Sequence, residues 1–279
     1  MREKKFQLHV SGLLQLAKCG VAFEKRYILG ERSPSGVSAA IGTAVDRSIT
    51  RNLQSKIDSG QLLDREEVQD IARDALLKEW RSNDIEASPE DEDEGVEFSR
   101  DTALDRSVTM AGFHYDVRAP HLNPTHVQRS WVLDIEGLPE QLAGTIDIQE
   151  GLKKITDTKT SAKSPKKDMA DTSLQLTTYA VAVNAIDKGI PASVGLDYIV
   201  MTPKRGDTKF VPLDSIRSAD DFPPLLNRIY QAHQQIESGI FTPASPDAWW
   251  CSRKYCAFFA NCKYAVRPVS VAAVAQSAA

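Results

Sequence analysis

A strand-like stretch in the middle of the chain carries charged residues where a sheet normally has apolar ones. Isoleucines alternate with polar residues on both sides of a Glu150-Gly151 pair, a pattern that indicates two strands joined by a tight turn. The charged residues of this hairpin are Asp147 on the first strand and Asp157 and Lys159 on the second. The chain must therefore fold so that two carboxylates and an amine lie on neighbouring strands.

The length of the hairpin loop decides whether the two carboxylates share a face of the sheet. Asp157 and Lys159 lie on one face because side chains alternate along a strand with a period of two. A three-residue loop at 150–152 would put Asp147 on that face as well, diagonal to Asp157. A two-residue loop at 150–151 would put it on the other face. We predict the three-residue loop.

Carboxylates on one face, with a lysine beside them, can hold a divalent metal ion next to a phosphodiester bond. Hydrolysis needs a nucleophilic water, relief of charge at phosphorus and a stabilised leaving oxygen, and carboxylate-bound Mg²⁺ or Mn²⁺ supplies all three. We predict Asp147, Asp157 and the backbone carbonyl of Thr158 as ligands. Lys159 is predicted to polarise the attacking water or neutralise the transition state. The alternative interpretation is a surface hairpin with ordinary exposed charges.

A polar pair follows on a predicted helix over residues 171–188. Gln175 and Tyr179 are four residues apart, so both project from one face of that helix and can contact a phosphate or a base. Taken alone, Tyr179 would be interpreted as a core residue.

The order of these motifs resembles the PD-(D/E)XK nucleases of the RecB type. Their pattern is Gly-x-x-Asp, then Asp-x-Lys-Thr, then Gln-x-x-x-Tyr. The matching residues here are Gly144, Asp147, Asp157, Lys159, Thr160, Gln175 and Tyr179. The resemblance implies an α/β fold with a central mixed sheet flanked by helices, and Mg²⁺- or Mn²⁺-dependent hydrolysis of DNA. It also implies that the helix carrying Gln175 and Tyr179 packs beside the active-site sheet and orients the substrate.

One further family element is altered in this chain. The segment from Gly42 to Asp46 resembles the family's Gly-x-x-x-His motif, with Asp46 where the histidine would be. A carboxylate oxygen suits Mg²⁺ better than imidazole does, so the substitution could shift metal preference away from Mn²⁺. Two alternatives stay open. Asp46 lies on a helix surface, or the protein has lost its activity and only binds nucleic acid or a helicase partner.

Four cysteines supply a second signal. Cys19 stands alone, whereas Cys251, Cys256 and Cys262 are separated by four and five residues, without the Cys-x-x-Cys spacing of most zinc sites. The layout resembles RecB-like nucleases of the AddB and CRISPR-adaptation kinds, whose one early and three late cysteines hold a [4Fe–4S] cluster. The resemblance implies a cluster that joins the first helix to the last loop. Zinc and free thiols are the alternatives.

Net charge does not exclude a DNA-binding protein here. The chain carries a formal charge of −4, but local charge decides where an anionic polymer can bind. Six lysines lie on the predicted hairpin and the loop after it, and of these Lys163 is predicted to bind substrate. They are Lys153, Lys154, Lys159, Lys163, Lys166 and Lys167. Residues 83–97, by contrast, are predicted to form a mobile acidic loop that cannot lie on DNA.

Length and composition fit one domain. With 279 residues, 42% of them hydrophobic, the chain can bury a substantial core, predicted over 1–267 with a cysteine loop at 245–265 and a disordered tail at 268–279. Helices are predicted at 11–29, 37–57, 64–82, 97–110, 171–188 and 221–238. Strands are predicted at 112–118, 127–136, 142–149, 153–160 and 194–201.

Composition also limits the cellular location that we expect. The absence of a long apolar run and the polar residues near the start lead us to expect a cytoplasmic protein without a signal peptide or membrane anchor. The combined expectation is a metal-dependent single-strand DNA exonuclease in recombination, repair or mobile-element replication, with a helicase or recombination protein as partner.

Overall fold

A six-stranded mixed sheet organises the chain, which a computed structural model describes over residues 6–82, 85–202 and 207–265. The strands are β1 (Gln7–His9), β2 (Ser35–Gly36), β3 (Ile85–Glu86), β4 (His126–Asp134), β5 (Gln141–Glu150), β6 (Lys154–Ser161), β7 (Ser193–Met201) and β8 (Thr208–Ser215). The helices are α1 (Val10–Lys18), α2 (Gly20–Phe23), α3 (Val37–Ser59), α4 (Arg65–Ser82), α5 (Pro89–Glu94), α6 (Arg100–Val117), α7 (Leu174–Asp187) and α8 (Phe222–Ser238). β2 and β3 form a small separate sheet. The predicted tail at 268–279 lies outside the described residues.

β5 is the strand on which the site depends. β4 pairs with it in antiparallel fashion along one edge, from Gln141 to Gln149. On the other edge, β1 pairs in parallel with residues 141–143 and β6 pairs antiparallel with residues 148–150. Within the described parts of the chain, residues 144–147 therefore have no strand partner on that edge. β7 and β8 extend the sheet beyond β6.

The hairpin between β5 and β6 has a three-residue loop, as predicted, but one residue later along the chain. Glu150 pairs with Lys154, so the loop consists of residues 151–153. This register brings Asp147 level with Asp157, whereas the predicted loop would have placed the two diagonally.

Two hydrophobic cores lie on the two faces of the sheet. The first contains residues of α1, α7 and α8 together with Ile146 of β5 and Ile155 of β6. The second contains residues of α3, α4 and α6 together with Ile148 of β5. Residues two apart on a strand normally share a face, so β5 turns over at Asp147. The mixed sheet flanked by helices agrees with the predicted fold class.

The first predicted helix, 11–29, is divided. α1 ends at Lys18, and Cys19 has an extended backbone with φ −164°. The N–H of Gly20 donates to the carbonyl of Thr242 at 2.7 Å, and a side chain on Gly20 would come within 2.8 Å of the Thr242 backbone. The break therefore ties the start of the chain to the segment that leads into the cysteines.

The predicted strand at 112–118 is wrong, because α6 continues to Val117. The hydroxyl of Ser99 accepts from the N–H of Thr102 at the start of this helix. Alternating aromatic and β-branched residues after position 112 resemble a strand, but Met110 and His114 are buried on the helix and α6 packs against α3 and α4. Tertiary packing overrides local propensity here. The prediction also missed two edge strands, β1 and β8.

The prediction of an acidic loop over 83–97 is wrong at Pro89–Glu94, because these residues form the helix α5. Ser88 and Asp91 form a capping box at its start. The buried carboxylate of Asp91 also accepts from the backbone N–H groups of Val37 and Ser38, each at 2.9 Å. One acidic side chain thus satisfies free amide groups of α5 and α3, which holds the acidic segment against the domain.

Among the described residues, no helix combines the length and apolar character needed to span a membrane.

Candidate active site

The proposed catalytic residues meet where β5 and β6 separate, at a place we call the fork. The fork comprises residues 144–147 of β5 and 157–159 of β6, together with Asp46 of α3. The ladder between the two strands ends at the Ile148–Thr156 pair. Beyond it, the carboxylate of Asp147 accepts from the backbone N–H of Thr158 at 3.1 Å. A side chain thereby replaces the ladder bond that would otherwise close the sheet.

Asp157 and Lys159 face this opening from one side of β6. The Lys159 Nζ atom lies 2.8 Å from Oδ2 of Asp157. Asp157 is 1% exposed, whereas the side chain of Lys159 is 39% exposed, so the ion pair has a buried acid and an accessible amine. Burial is the largest single effect and would lower the pKa of Lys159, but the charge of Asp157, its hydrogen bond and the charge of Asp147 together raise that pKa. The amine therefore stays protonated.

Thr158 lies between them with its side chain on the opposite face. On a strand, the N–H and C=O of one residue point to the same edge. Because the Thr158 N–H donates to Asp147, its carbonyl oxygen also points toward the fork, which is the orientation that the predicted ligand role requires.

Asp46 reaches the fork from α3. This helix lies close to β6, since a side chain on Gly42 would come within 3.2 Å of the Thr160 hydroxyl. The carboxylate of Asp46 accepts a hydrogen bond from Nε2 of Gln128 at 2.9 Å. Burial, together with the charge of Asp157, raises the pKa of Asp46 to about 6.

Excess negative charge distinguishes the fork from an ordinary ion pair. Burial raises the pKa of Asp147 well above its usual range, and the charges of Asp157 and Asp46 add to this effect. The pKa of Asp157 is raised as well, mainly by burial and in spite of Lys159. Carboxylates with raised pKa values hold protons, or a cation, more readily than exposed ones do. This donor set fits a hard divalent cation.

The side chains do not yet form a closed coordination shell. In residues 6–82, 85–202 and 207–265, no three His, Cys, Asp or Glu side chains are grouped closely enough to hold a metal ion as they stand. A bound cation would have to draw the carboxylates of the fork together.

Gln175 and Tyr179 lie on α7, which packs on the first core beside β6. The amide of Gln175 donates to the Tyr179 hydroxyl at 2.7 Å. Tyr179 is buried, and burial together with the charges of Asp157 and Asp147 raises its pKa. The ring of Tyr179 is thus part of the first core, and its hydroxyl faces the carboxylates of the fork.

Packing alone explains why position 144 is a glycine, independently of any role in catalysis. It pairs with Trp131 on β4, and a side chain on Gly144 would come within 2.6 Å of the Trp131 ring. The glycine of the Gly-x-x-Asp motif therefore admits the indole that fills the first core.

The predicted lysine cluster is divided among several places. Lys159 lies at the fork, but the Nζ atom of Lys163 donates to the backbone carbonyl of Asp93 in α5, at 2.7 Å. Lys154 pairs with Asp214 on β8. The structure therefore places Lys163 against the acidic helix, and its predicted contact with substrate stays a prediction.

The four cysteines come from opposite ends of the chain and lie near one another. All four are half-buried and free. Burial raises the pKa of Cys251, and the neighbouring thiols of Cys19 and Cys262 add to it. Burial and the other three cysteines also raise the pKa of Cys256, against a backbone hydrogen bond. Thiols that lie this close together are a donor set suited to a metal or cluster, although they are not grouped as a coordination shell.

A cavity of about 290 Å³ adjoins these cysteines. Its lining includes Lys18, Arg26, Trp249 and Phe258 in addition to three of the cysteines. The indole N–H of Trp250 donates to the carbonyl of Lys18 at 3.4 Å, which is a second tie between α1 and the cysteine loop.

Two residues that support the site, Gln128 and Asp91, were not predicted from the sequence. Gln128 has no motif that marks it, and its contact with Asp46 depends on the tertiary fold. Asp91 did have a local signal, because Ser88-x-x-Asp91 has the spacing of a capping box, but the acidic composition around it concealed the signal.

Comparisons with known proteins give a family match and two similar solved structures. A family model, the PD-(D/E)XK nuclease superfamily, matches residues 7–263. The crystal structure of a putative exonuclease from Eubacterium rectale superposes with a TM-score of 0.54 at 10% identity, covering 96% of this chain and 92% of that chain. The structure of SSO0001 gives a TM-score of 0.38 at 13% identity, covering 92% of this chain and 96% of that chain. No curated protein matches the sequence.

At 10% identity the Eubacterium rectale structure shows a shared fold only. The family model spans all the motifs described above, from the Gly42–Asp46 segment to the last cysteine. The chain belongs to the PD-(D/E)XK nuclease superfamily.

Proposed function

We propose that this chain is a metal-dependent DNA nuclease of the RecB type that degrades single-stranded DNA from its ends. The observation that supports this most is the meeting of Asp46, Asp147 and Asp157 at the fork, beside the ammonium of Lys159. Buried carboxylates in excess over the amine are costly without a further cation. Mg²⁺ or Mn²⁺ bound through carboxylate oxygens would remove that cost.

Each residue of the fork has a role in this proposal. Asp147, Asp157 and the Thr158 carbonyl would hold the metal, with Asp46 as a further ligand. When bound, the cation supplies positive charge to the phosphate and favours deprotonation of water at neutral pH. Lys159 keeps its proton because Asp157 raises its pKa. Its accessible ammonium can therefore donate to a phosphate oxygen and stabilise the charge of the transition state.

Gln175 and Tyr179 would orient the DNA. Their mutual hydrogen bond fixes both side chains on the face of α7 that adjoins the fork. The amide of Gln175 retains a second N–H for a phosphate or base. Lys163 would bind the backbone of the same strand after releasing Asp93.

The cysteines would hold a [4Fe–4S] cluster, with zinc as the alternative. The mutual effect of the thiols on their pKa values supports a common ligand. Such a group would fasten α1 to the cysteine loop, which the hydrogen bond from Trp250 to the carbonyl of Lys18 also joins to that helix. Binding energy of this kind contributes to folding. Anaerobic purification should give a brown protein with absorbance near about 400 nm, and stoichiometric zinc without iron would contradict the cluster.

The proposed setting is DNA recombination, repair or mobile-element replication in the cytoplasm, beside a helicase or recombination protein. Affinity purification from cells expressing the tagged full chain would test it. Recovery of such a partner supports the setting, and recovery of the chain alone from lysates active in recombination would contradict it.

Digestion of labelled oligonucleotides tests the nuclease itself. Single- and double-stranded DNA, labelled at either terminus, is incubated with Mg²⁺, Mn²⁺ or EDTA. We expect metal-dependent shortening of single strands, with loss of activity in Asp157→Asn and full activity in the matched exposed control Asp101→Asn. DNA binding without cleavage under every metal condition would instead favour a catalytically inactive binding protein.

A further inference from the structure

Gln128 has an unusual backbone conformation. Its φ of 48° lies in the left-handed region, which residues other than glycine rarely adopt. The other such residue in the described chain, Lys188, ends helix α7, where this conformation is ordinary. Gln128 instead lies within strand β4, between residues that pair with β5. A conformation of this kind persists only where the surroundings impose it, and it is frequent at functional sites.

The neighbours of Gln128 are fixed on both sides. Val127 pairs with Ile148 and Arg129 pairs with Ile146, so Gln128 is level with Asp147, where β5 turns over. The guanidinium of Arg129 binds the carboxylate of Asp187 at 2.7 and 2.9 Å. The positive φ of Gln128 in β4 thus lies directly beside the point where β5 turns over.

The consequence of this conformation is the direction of the side chain. Nε2 of Gln128 donates to Oδ1 of Asp46 at 2.9 Å across a separation of 82 residues. An amide is neutral and the bond engages one carboxylate oxygen, so it orients Asp46 without cancelling its charge. A lysine or arginine in the same place would compete with a metal ion for that charge.

We propose that Gln128 is a positioning residue that holds Asp46 toward the metal site of the fork. In this chain the Asp46–Gln128 pair takes the place of the family's histidine. The inference rests on the proposed function, because it presupposes that Asp46 is a ligand.

Calorimetric titration of the full chain with MgCl₂ tests the inference without depending on activity. We expect Gln128→Ala to weaken Mg²⁺ binding by about tenfold, since losing a group that orients a ligand typically costs about 10- to 100-fold in metal affinity. In cleavage assays, the Mg²⁺ concentration for half-maximal rate should rise by the same factor, while kcat at saturating Mg²⁺ stays within about threefold of wild type.

Gln128→Gly separates the side chain from the backbone. Glycine adopts a positive φ without strain, so this variant should fold at least as stably as wild type and still lose Mg²⁺ affinity. Gln54→Ala is the matched control. It removes a 2.8 Å glutamine–aspartate hydrogen bond to Asp58 on the exposed part of α3, the helix that also carries Asp46. This variant should leave Mg²⁺ affinity unchanged.

The outcomes distinguish this inference from the proposed function. Wild-type Mg²⁺ affinity in both Gln128 variants, with binding abolished in Asp157→Asn, would overturn the positioning role alone. A wild-type chain that binds neither Mg²⁺ nor Mn²⁺ would overturn both. If Gln128 acts through Asp46, Gln128→Ala should cause no further loss in an Asp46→Ala background. A further tenfold loss would contradict the proposed route.

Discussion

The fork and the cysteine loop both bring several potential metal-binding side chains together, but the chain holds them in different ways. The fork is part of the sheet. Its β5 residues pair with β4 and its β6 residues pair with β7. Ile146 within it and Ile155 next to it are 1% and 0% exposed. The cysteine loop, residues 245–265, consists of turns and one short 3₁₀ segment, Phe259–Asn261. Trp249 within it is 67% exposed.

The difference indicates which site depends on its ligand. Burial of the sheet fixes the carboxylates of the fork even though their charges repel, because the surrounding core stabilises the strands. The cysteine loop buries little apolar surface, and its ties to the domain are single hydrogen bonds and an exposed pair between Lys254 and Asp93. We therefore expect the fork to be formed without metal and the cysteine loop to need its cluster or metal.

Asp157→Asn is expected to have the largest effect on the fork. Loss of this carboxylate removes a proposed metal ligand and the partner of Lys159, so the cleavage rate should fall roughly a thousandfold, equivalent to about 4 kcal/mol. The iron content of the proposed cluster in the cysteine loop should stay at the wild-type value. Single-turnover digestion of labelled single-stranded DNA and iron analysis measure the two effects, and cleavage within tenfold of wild type would remove Asp157 from the site.

Cys256→Ser is the reciprocal change. Losing one of the four proposed ligands should bleach the absorbance of the proposed cluster and lower the free energy of unfolding by roughly 3 kcal/mol, because metal binding contributes to folding. Mg²⁺ affinity at the fork should stay unchanged. Ser252→Ala, in the same loop, is the control for both readouts. A Cys256→Ser protein that loses Mg²⁺ binding while remaining folded would show that the two regions are coupled.

Two aspartates of α5 contact different regions, and their substitution should therefore affect stability differently. Asp91 is buried and caps α3, which carries Asp46, so Asp91→Ala leaves amide groups unsatisfied and should cost about 2 kcal/mol of stability. Asp93 is exposed and contacts Lys254 and Tyr255 of the cysteine loop. Asp93→Ala should leave global stability unchanged and increase hydrogen exchange only in that loop. Denaturant unfolding with exchange mass spectrometry compares them, and equal destabilisation would contradict the division.

The pH dependence of stability sharpens the description of the fork. The pKa of Asp46 is about 6 in the folded chain and about 4 in an unfolded one. The resulting stabilisation is complete below pH about 4 and is lost as the pH rises through about 6. Without metal, Asp46→Asn should come within about 0.5 kcal/mol of wild type at pH 4 and exceed it at pH 8 by roughly 2–3 kcal/mol. Mg²⁺ should reverse this order at pH 8, and thermal unfolding with EDTA or Mg²⁺ measures it.

Much of the fork could be predicted from sequence because its pattern is local. The alternation around Asp147 and Asp157 defines two strands and a short loop, and the loop length sets the shared face. What the sequence could not supply was the interruption of the ladder at residues 144–147. That depends on β1, a three-residue strand from the distant N-terminus that occupies part of the same edge.

The incorrect and missing predictions also result from long-range contacts, which a local sequence pattern does not show. Residues 112–118 alternate as a strand does, but packing on α3 and α4 keeps them helical. Asp91 looks like one acid among many in a solvated segment, yet it is buried because the start of α3 needs a hydrogen-bond acceptor. Gln128 carries no pattern at all, since its contact with Asp46 joins residues 82 positions apart.

Anomalous diffraction from Mn²⁺-soaked crystals tests the central claim most directly. We expect a single strong peak at the fork, about 2 Å from carboxylate oxygens of Asp147 and Asp157, and no peak there in crystals of Asp157→Asn. A fork without a peak, at Mn²⁺ concentrations that support DNA cleavage in solution, would contradict the account.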